Sequence, residues 1–393
     1  MEQTTRSKTG FFDPAACDIS EFLTLVTKQL GSHDVPHAAE VAHNIPVYDM
    51  AELAPVLNDT KGRCALLTEW GWVLGQSAGV VALRGAYPET APIDAATRIY
   101  EEVILEEREA GSGHDHFAAA GANDRVWNTL QKLCERDPAI FAAYFGNPAI
   151  AAVCEAWLGP NYQMTAQLNV VRPGGAAQEA HRDYHLGFMT AEQAASYPAH
   201  VHDLSAALTL QGAIAHTDMP VESGPTKLLP FSQLYRPGYL AFRLDAFRQA
   251  FEEHYVQLPL RKGDALFFNP ALFHAAGANT STDIQRAANL LQISSALGIP
   301  LEKIDRMAMC KRLYPVLLDG QLALSPDQVD AAIAACADGY SFSTNLDRDP
   351  PVGGLAPQTQ AALMRQALDE KWGPEKFGAA LDAQAERRSA SLL

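Results

Sequence analysis

The chain predicts an α+β fold, mainly β at its centre, with helical additions at both ends. Three observations carry this. Between residues 164 and 294 six short apolar segments recur (MTAQLNVV, SAALTLQGAIA, KLLPFS, YVQLPL, ALFFNP and AANLLQIS), with turn signals between them. No long helices separate these segments at regular spacing, so a doubly wound sheet fits poorly and a sandwich or closed barrel fits well. On both sides of this stretch the apolar period lengthens to that of helices.

Taken in order, residues 1 to about 60 read as helical and peripheral: Asp18-Ile19-Ser20 opens the amphipathic run EFLTLVTKQL, which stops near Gly31-Ser32. GVVALRGAYP reads as a strand ending in a turn. Residues 93–111 form a charged amphipathic helix, with Ile99, Val103 and Leu105 among glutamates and one face solvated. Glycine-rich GSGHDHFAAAGANDR follows, then helical stretches between 126 and 158. Two-fold alternation is clearest in TAQLNVV, and YLAFRLDAFRQAFEEH reads as a helical or irregular insertion between strands. After about 300 the segments 326–337 and 357–370 read as helices, flanking the irregular tract SFSTNLDRDPPVGGLAPQ. The division expected is a helical N-terminal extension (1–69), a catalytic domain (70–298) and a helical C-terminal extension (299–393) packed on or near the core.

At 393 residues the chain can bury a large core. Its 46 acidic and 30 basic residues give a formal charge of -16, which argues against a nucleic-acid backbone as partner. The six cysteines, at 17, 64, 134, 154, 310 and 336, form no CxxC pair, which suits a reduced, cytoplasmic chain. MEQTTRSKTG is polar, unlike a signal peptide, and no stretch approaches the roughly 20 apolar residues that span a bilayer. The expected partner is a small-molecule substrate, with neither nucleic acid nor membrane, and the composition is compatible with a homo-oligomer.

Two segments stand out. The first is His181-Arg182-Asp183; if it is extended, His181 and Asp183 project to one face, because strand side chains repeat every two residues. His185 would join that face if the extension continued. The second runs Lys262-Gly263-Asp264 into the apolar strand 265–268, then His274, then Arg286. Each alone is weak. HxD usually marks a polar surface strand, a single histidine usually bonds core carbonyls, and an arginine at a strand's start is ordinarily exposed. Together they differ. Two imidazoles and one carboxylate leave much of an octahedral shell open, the composition of a non-haem Fe(II) site that holds a cosubstrate and O2. Arg286 precedes an apolar strand, and a buried guanidinium needs an anionic partner, which a carboxylate cosubstrate supplies for its planar fork.

These segments resemble the phytanoyl-CoA dioxygenase-like family of Fe(II)/2-oxoglutarate oxygenases, over roughly residues 70 to 295. HRDYHLGF is similar to that family's HQDLHYF-type segment, and Glu222 to Ser232 to its NGP-to-PGSH stretch. GDALFFNPALFHAAGANTSTDIQR is similar to its GD-strand, HGSGxNxS and Arg sequence, with Asn279 at the matching asparagine. The resemblance implies a double-stranded β-helix, or jelly-roll, core. It implies Fe(II) held by the catalytic triad His181, Asp183 and His274, and Arg286 on the distal carboxylate of 2-oxoglutarate. It also makes Asn169 and Gln178 candidates for the cosubstrate pocket, although Asn169 could equally satisfy backbone groups and Gln178 could face solvent. Two departures stand out: Ala275-Ala276 replaces Gly-Ser, removing a hydroxyl, and Ser232-Gln233 replaces Ser-His.

The implied reaction is hydroxylation of a small molecule by O2, coupled to decarboxylation of 2-oxoglutarate to succinate; Asp183 favours this over the halogenase variant. Rivals are a cupin-type metal isomerase or dioxygenase without 2-oxoglutarate, and a non-catalytic jelly-roll binding or scaffold protein. An α/β-hydrolase is disfavoured because no GxSxG elbow occurs. His114, His116, Asn123, Asp124, Arg125 and Trp127 form a polar-aromatic cluster that lines the entrance on one reading and caps a helix on the other. Asp347-Arg348-Asp349 covers the opening on one reading and is a solvated loop on the other.

Overall fold

The computed structural model describes residues 10–110 and 123–390. Eleven strands are present among them: β1 (Glu40–Ala42), β2 (Ile45–Asp49), β3 (Val80–Arg84), β4 (Asn123–Val126), β5 (Gln163–Val171), β6 (Thr209–Ala215), β7 (Lys227–Leu229), β8 (Val256–Gln257), β9 (Ala265–Phe268), β10 (Phe273–Ala275) and β11 (Arg286–Ser294). They form an eight-stranded major sheet in the order β1-β2-β3-β9-β6-β11-β5-β4 and a three-stranded minor sheet in the order β10-β7-β8. Every pairing is antiparallel except β2 with β3. The two sheets face each other as the halves of a jelly roll, with helices added outside.

Strand alternation divides the major sheet into two chemically different faces. One face carries Met164, Ala166, Leu168 and Val170 of β5, Leu210 and Ile214 of β6, Ala265 and Phe267 of β9, and Leu291 and Ile293 of β11, all buried in the largest core cluster with the helices. The other face carries Gln167 and Asn169, Gln211 and Ala213, Leu266 and Phe268, and Arg286, Ala288, Leu290 and Gln292, which line the cavity between the sheets. Register aligns these into rows: Gln292 of β11 faces Gln211 of β6, which faces Phe268 of β9. Gly212 is required where β6 crosses β9, since a Cβ there would lie 2.6 Å from the Phe267 ring.

The additions bury the outer faces. The helix Ile19–Val26, capped by Asp18 on the Ser20 N–H, presses Phe22 onto Phe273 of β10 (ring centroids 4.9 Å apart). At the other end, Met309, Leu313, Ala332, Ile333, Met364 and Leu381 of the C-terminal helices join the helix-side core.

Three expectations are corrected. The N-terminal extension is not wholly helical: β1 and β2 form a hairpin that extends the major sheet. Its turn is His43-Asn44, with φ of 52° and 65°, the left-handed pair of a two-residue hairpin turn, and β2 is a buried apolar run. SAALTLQGAIA is not one strand; residues up to Ala207 belong to the helix Ala199–Ala207, and only Thr209–Ala215 is extended. KLLPFS and YVQLPL are strands only at Lys227–Leu229 and Val256–Gln257, because prolines at 230 and 259 withdraw ladder donors.

Candidate active site

The HxD segment runs as an extended edge beside β10. The His181 and His274 backbones exchange N–H···O bonds of 3.0 and 3.1 Å, and the Asp183 N–H donates to the Pro270 carbonyl at 3.0 Å. Pairing fixes the pleat, so His181, Asp183 and His274 face one point. Extension ends at Tyr184 and His185, with φ of 64° and 37°, which turns His185 into a short 3-10 turn and away from the triad. Arg182, between the two ligand candidates, points to the opposite face. There its Nη2 donates to the Ser232 and Tyr235 carbonyls at 2.7 and 2.8 Å, and its guanidinium lies over the Tyr239 and Phe273 rings. Gly238 is needed beneath it: a Cβ would come within 2.0 Å of the guanidinium carbon. Burial pushes the Arg182 pKa down to about 10.

His181, Asp183 and His274 offer one ligand atom each, all within 4.8 Å of one another. Asp183 Oδ1 lies 3.7 Å from His181 Nε2, and its Oδ2 lies 3.4 Å from His274 Nε2. On the far side of each ring, Nδ1 meets a backbone carbonyl, Glu179 at 2.8 Å and Leu272 at 2.9 Å. A carbonyl only accepts, so Nδ1 carries the proton and Nε2 presents a bare lone pair toward the carboxylate. Burial and the neighbouring His274 push the His181 pKa down, which keeps that lone pair available. Burial alone would raise the Asp183 carboxyl; attraction to the two imidazoles in their protonated form and a hydrogen bond from Gln211 outweigh it and hold the group well below the usual carboxylate range, so a cation between the three groups is favoured, whether protons or a metal. Two imidazoles whose Nε2 atoms face inward and one carboxylate fit a first-row divalent ion.

The triad opens into a cavity of about 850 Å³ between the sheets. Arg286 reaches it from the start of β11. It is 8% exposed, and its Nη1 makes only long bonds to the Ser223 and Gly277 carbonyls, at 3.3 and 3.4 Å. Among the described residues no carboxylate pairs with it, and burial pushes its pKa down to about 10. The cavity therefore contains a guanidinium that lacks its anion. Asn169 lines the same cavity two strand positions from Val171, the partner of Arg286, and its Oδ1 is buried without a donor. Gln178 also lines it; its Oε1 accepts from the Ala276 N–H at 3.3 Å, so part of its capacity goes to holding the β10 edge. Asn279 is spent on structure, with Nδ2 donating to the Val171 and Ile284 carbonyls.

Sequence reasoning missed Gln211. Its Nε2 donates to Asp183 Oδ2 at 2.5 Å, while its own Oε1 is buried and unpartnered, which costs about 1–3 kcal/mol. It also missed the neighbouring bond from the Tyr184 hydroxyl to Gln292 Oε1. Both depend on register between distant strands. Of the polar-aromatic cluster, Arg125 and Trp127 line the cavity, with Arg125 Nη1 donating to Gln167 Oε1 at 3.0 Å. Asp124 instead pairs with Arg108 and Arg172, and His114 and His116 lie outside the described residues. The 341–357 tract contributes no cavity-lining residue; Arg348 and Asp349 pair with Glu386 and Arg387 of the C-terminal helix.

Several known proteins are similar to the chain. The chain is 26% identical over 173 residues to "Dioxygenase andF" of Emericella variicolor, a match covering 41% of this chain and 55% of that one, so it spans about half the length of this relative. It is 24% identical over 243 residues to "Dioxygenase trt7" of Aspergillus terreus, covering 59% of this chain and 78% of that one. Similar solved structures include the non-heme alpha ketoglutarate dependent epimerase SnoN from nogalamycin biosynthesis, with 21% identity, a TM-score of 0.41, and coverage of 59% of this chain and 82% of that one. They also include the non-heme alpha ketoglutarate dependent carbocyclase SnoK from the same biosynthesis, with 22% identity, a TM-score of 0.42, and coverage of 58% and 83%. The phytanoyl-CoA dioxygenase (PhyH) family profile matches residues 75–288, just over half of the chain and the whole stretch from β3 to Arg286. The chain therefore belongs to the phytanoyl-CoA dioxygenase family of Fe(II)/2-oxoglutarate oxygenases.

Proposed function

We propose that the protein is an Fe(II)- and 2-oxoglutarate-dependent dioxygenase that hydroxylates a small molecule. The observation that carries this reading is one cavity holding three convergent metal donors and a buried guanidinium that pairs with no carboxylate of the described residues. His181, Asp183 and His274 would hold the iron, each histidine through Nε2. Bound there, Fe(II) supplies the activation of O2 that couples cosubstrate decarboxylation to substrate oxidation. Arg286 binds the distal carboxylate of 2-oxoglutarate, and Asn169 and Gln178 line its path toward the metal. Phe268, whose ring centroid lies 4.7 Å from that of His274, and Leu266 keep bulk water from the ligands. A cupin-type enzyme without 2-oxoglutarate gives no reason for Arg286 to sit in this cavity.

The reading takes 70–298 as the catalytic unit and 1–69 and 299–393 as additions that bury its outer faces. It places the enzyme in the cytoplasm, acting on a small molecule rather than on nucleic acid or membrane. Free thiols at all six cysteines, the acidic balance, and no single described helix long and apolar enough to cross a membrane support it. The test is succinate formation from 2-oxoglutarate. It should require Fe(II) and O2 and rise when the substrate is supplied from a panel of carboxylates, amino acids, CoA thioesters and ring compounds. Protein that is folded and iron-loaded yet makes no succinate under any of these conditions contradicts the assignment.

A further inference from the structure

We propose that Gln211 is a positioning residue that sets how Asp183 binds the metal. By occupying Oδ2 it leaves Oδ1 as the one oxygen offered to the ion, so that three coordination positions stay open. The inference rests on the metal-site reading above and concerns this chain's own side chains.

The argument begins with the amide's orientation. Gln211 Nε2 lies 2.5 Å from Asp183 Oδ2. The opposite orientation would set a carbonyl oxygen against an ionised carboxylate, so the NH2 group faces Asp183. That orientation leaves Oε1 buried without a donor in a residue only 4% exposed. A buried amide that gives up one bond to make another marks a site where the made bond has a purpose. The side chain cannot easily swing away. Its backbone is fixed on β6 between Gln292 of β11 and Phe268 of β9, and the Phe268 ring packs on His274.

The two carboxylate oxygens are thereby made unequal. Oδ2, which lies 3.4 Å from His274 Nε2, already accepts a charge-assisted hydrogen bond from Gln211, while Oδ1, 3.7 Å from His181 Nε2, accepts none from a described residue. A carboxylate free to rotate can clasp a divalent ion with both oxygens, which fills one more position of its shell. A site that must admit a two-pronged keto-acid and O2 has no position to spare. Gln211 thus protects the open positions rather than supplying a ligand.

The test uses Mn(II) alone and then 2-oxoglutarate without O2. Gln211→Met keeps the side chain's length and removes the donor; Gln211→Asn keeps the amide but withdraws it by one methylene. Water-proton relaxation on the Mn(II)-loaded proteins reads the exchangeable waters on the ion, and it should fall from three in the wild type to two in both variants. The dissociation constant of 2-oxoglutarate should rise about tenfold, and by more than that of Mn(II) does. Unchanged relaxation with 2-oxoglutarate affinity within about twofold overturns the proposal. So does outright loss of Mn(II) binding in folded variants, because Gln211 would then hold the site together rather than govern the carboxylate. Wild-type protein that binds no Mn(II) overturns the parent reading, and this one with it.

Discussion

The two faces of the major sheet bury their polar groups differently, although the Tyr100 hydroxyl, beside the His216 ring on the helix side, also has no partner among the described residues. On the helix side a chain of groups is closed. Thr129 Oγ1 donates to Asn289 Oδ1 at 3.1 Å, Asn289 Nδ2 donates to the Tyr144 hydroxyl at 3.1 Å, and that hydroxyl meets His216 Nε2 at 2.7 Å. His216 Nδ1 meets Thr97 Oγ1 at 2.8 Å, and Thr97 in turn donates to the Ile93 carbonyl. Every proton in the chain has one assignment, with His216 neutral and protonated at Nδ1. On the cavity side the same strands carry Arg286 with no carboxylate partner, and Asn169 Oδ1 and Gln211 Oε1 with no donor, among the described residues. Closed networks hold a fold together; open ones await a ligand. The comparison locates function on one face of a sheet whose other face is structural.

The largest expected effect breaks the open face. Asp183→Ala should weaken Fe(II) binding and 2-oxoglutarate-dependent succinate formation by at least about 100-fold, more than loss of a supporting group would. Iron titration and product analysis check this, and near wild-type iron affinity would contradict it. Arg286→Lys comes next. A point charge cannot reproduce the guanidinium fork, so the 2-oxoglutarate concentration for half-maximal turnover should rise about 10- to 100-fold with Fe(II) affinity unchanged. Equal shifts in both affinities would show that Arg286 acts through the metal site instead.

The closed face should answer in stability, not in binding. Asn289→Ala, three residues along β11 from Arg286 but on the other face, should cost about 1–3 kcal/mol in urea unfolding by leaving buried hydroxyls unpaired, with 2-oxoglutarate affinity unchanged. A fall in cosubstrate affinity without a fall in stability would erase the distinction between faces. The closed face should also show in the acid sensitivity of His216. Burial, with a minor push from Lys262, holds its pKa at about 3 against an ordinary 6.5. The unfolded chain takes up the proton first, so the stability this ring contributes is complete above pH 6.5 and is lost progressively as the pH falls toward 3. The loss is about 1.4 kcal/mol per unit. Unfolding midpoints should drop on acidification in the wild type and drop less in His216→Leu; parallel lines would show that His216 does not titrate with unfolding.

Much of the open face was legible in the chain because its signals are local. His181 and Asp183 share a face by strand alternation, and an apolar strand followed by His274 and then Arg286 is a short linear pattern. What was not legible depends on register. Gln211 reaches Asp183 only because β6 lies between β9 and β11, and the helix Ala199–Ala207 hides the start of that strand in a continuous small-residue run. The β1–β2 hairpin was concealed by a turn of His43-Asn44 rather than one containing glycine. Arg182 is written inside the motif, but the carbonyls and rings that hold it come from residues 232–239 and 273.

The central claim is that the minor-sheet side brings the metal ligands and the major sheet brings the cosubstrate's anchor into one cavity. The most direct test is a crystal structure of the protein soaked without O2 in Mn(II) and 2-oxoglutarate, with the ion placed by anomalous scattering. The account predicts one ion bound by His181 Nε2, His274 Nε2 and an Asp183 oxygen, and a cosubstrate whose distal carboxylate meets Arg286. An ion bound elsewhere, or a cosubstrate carboxylate turned away from Arg286, would contradict it.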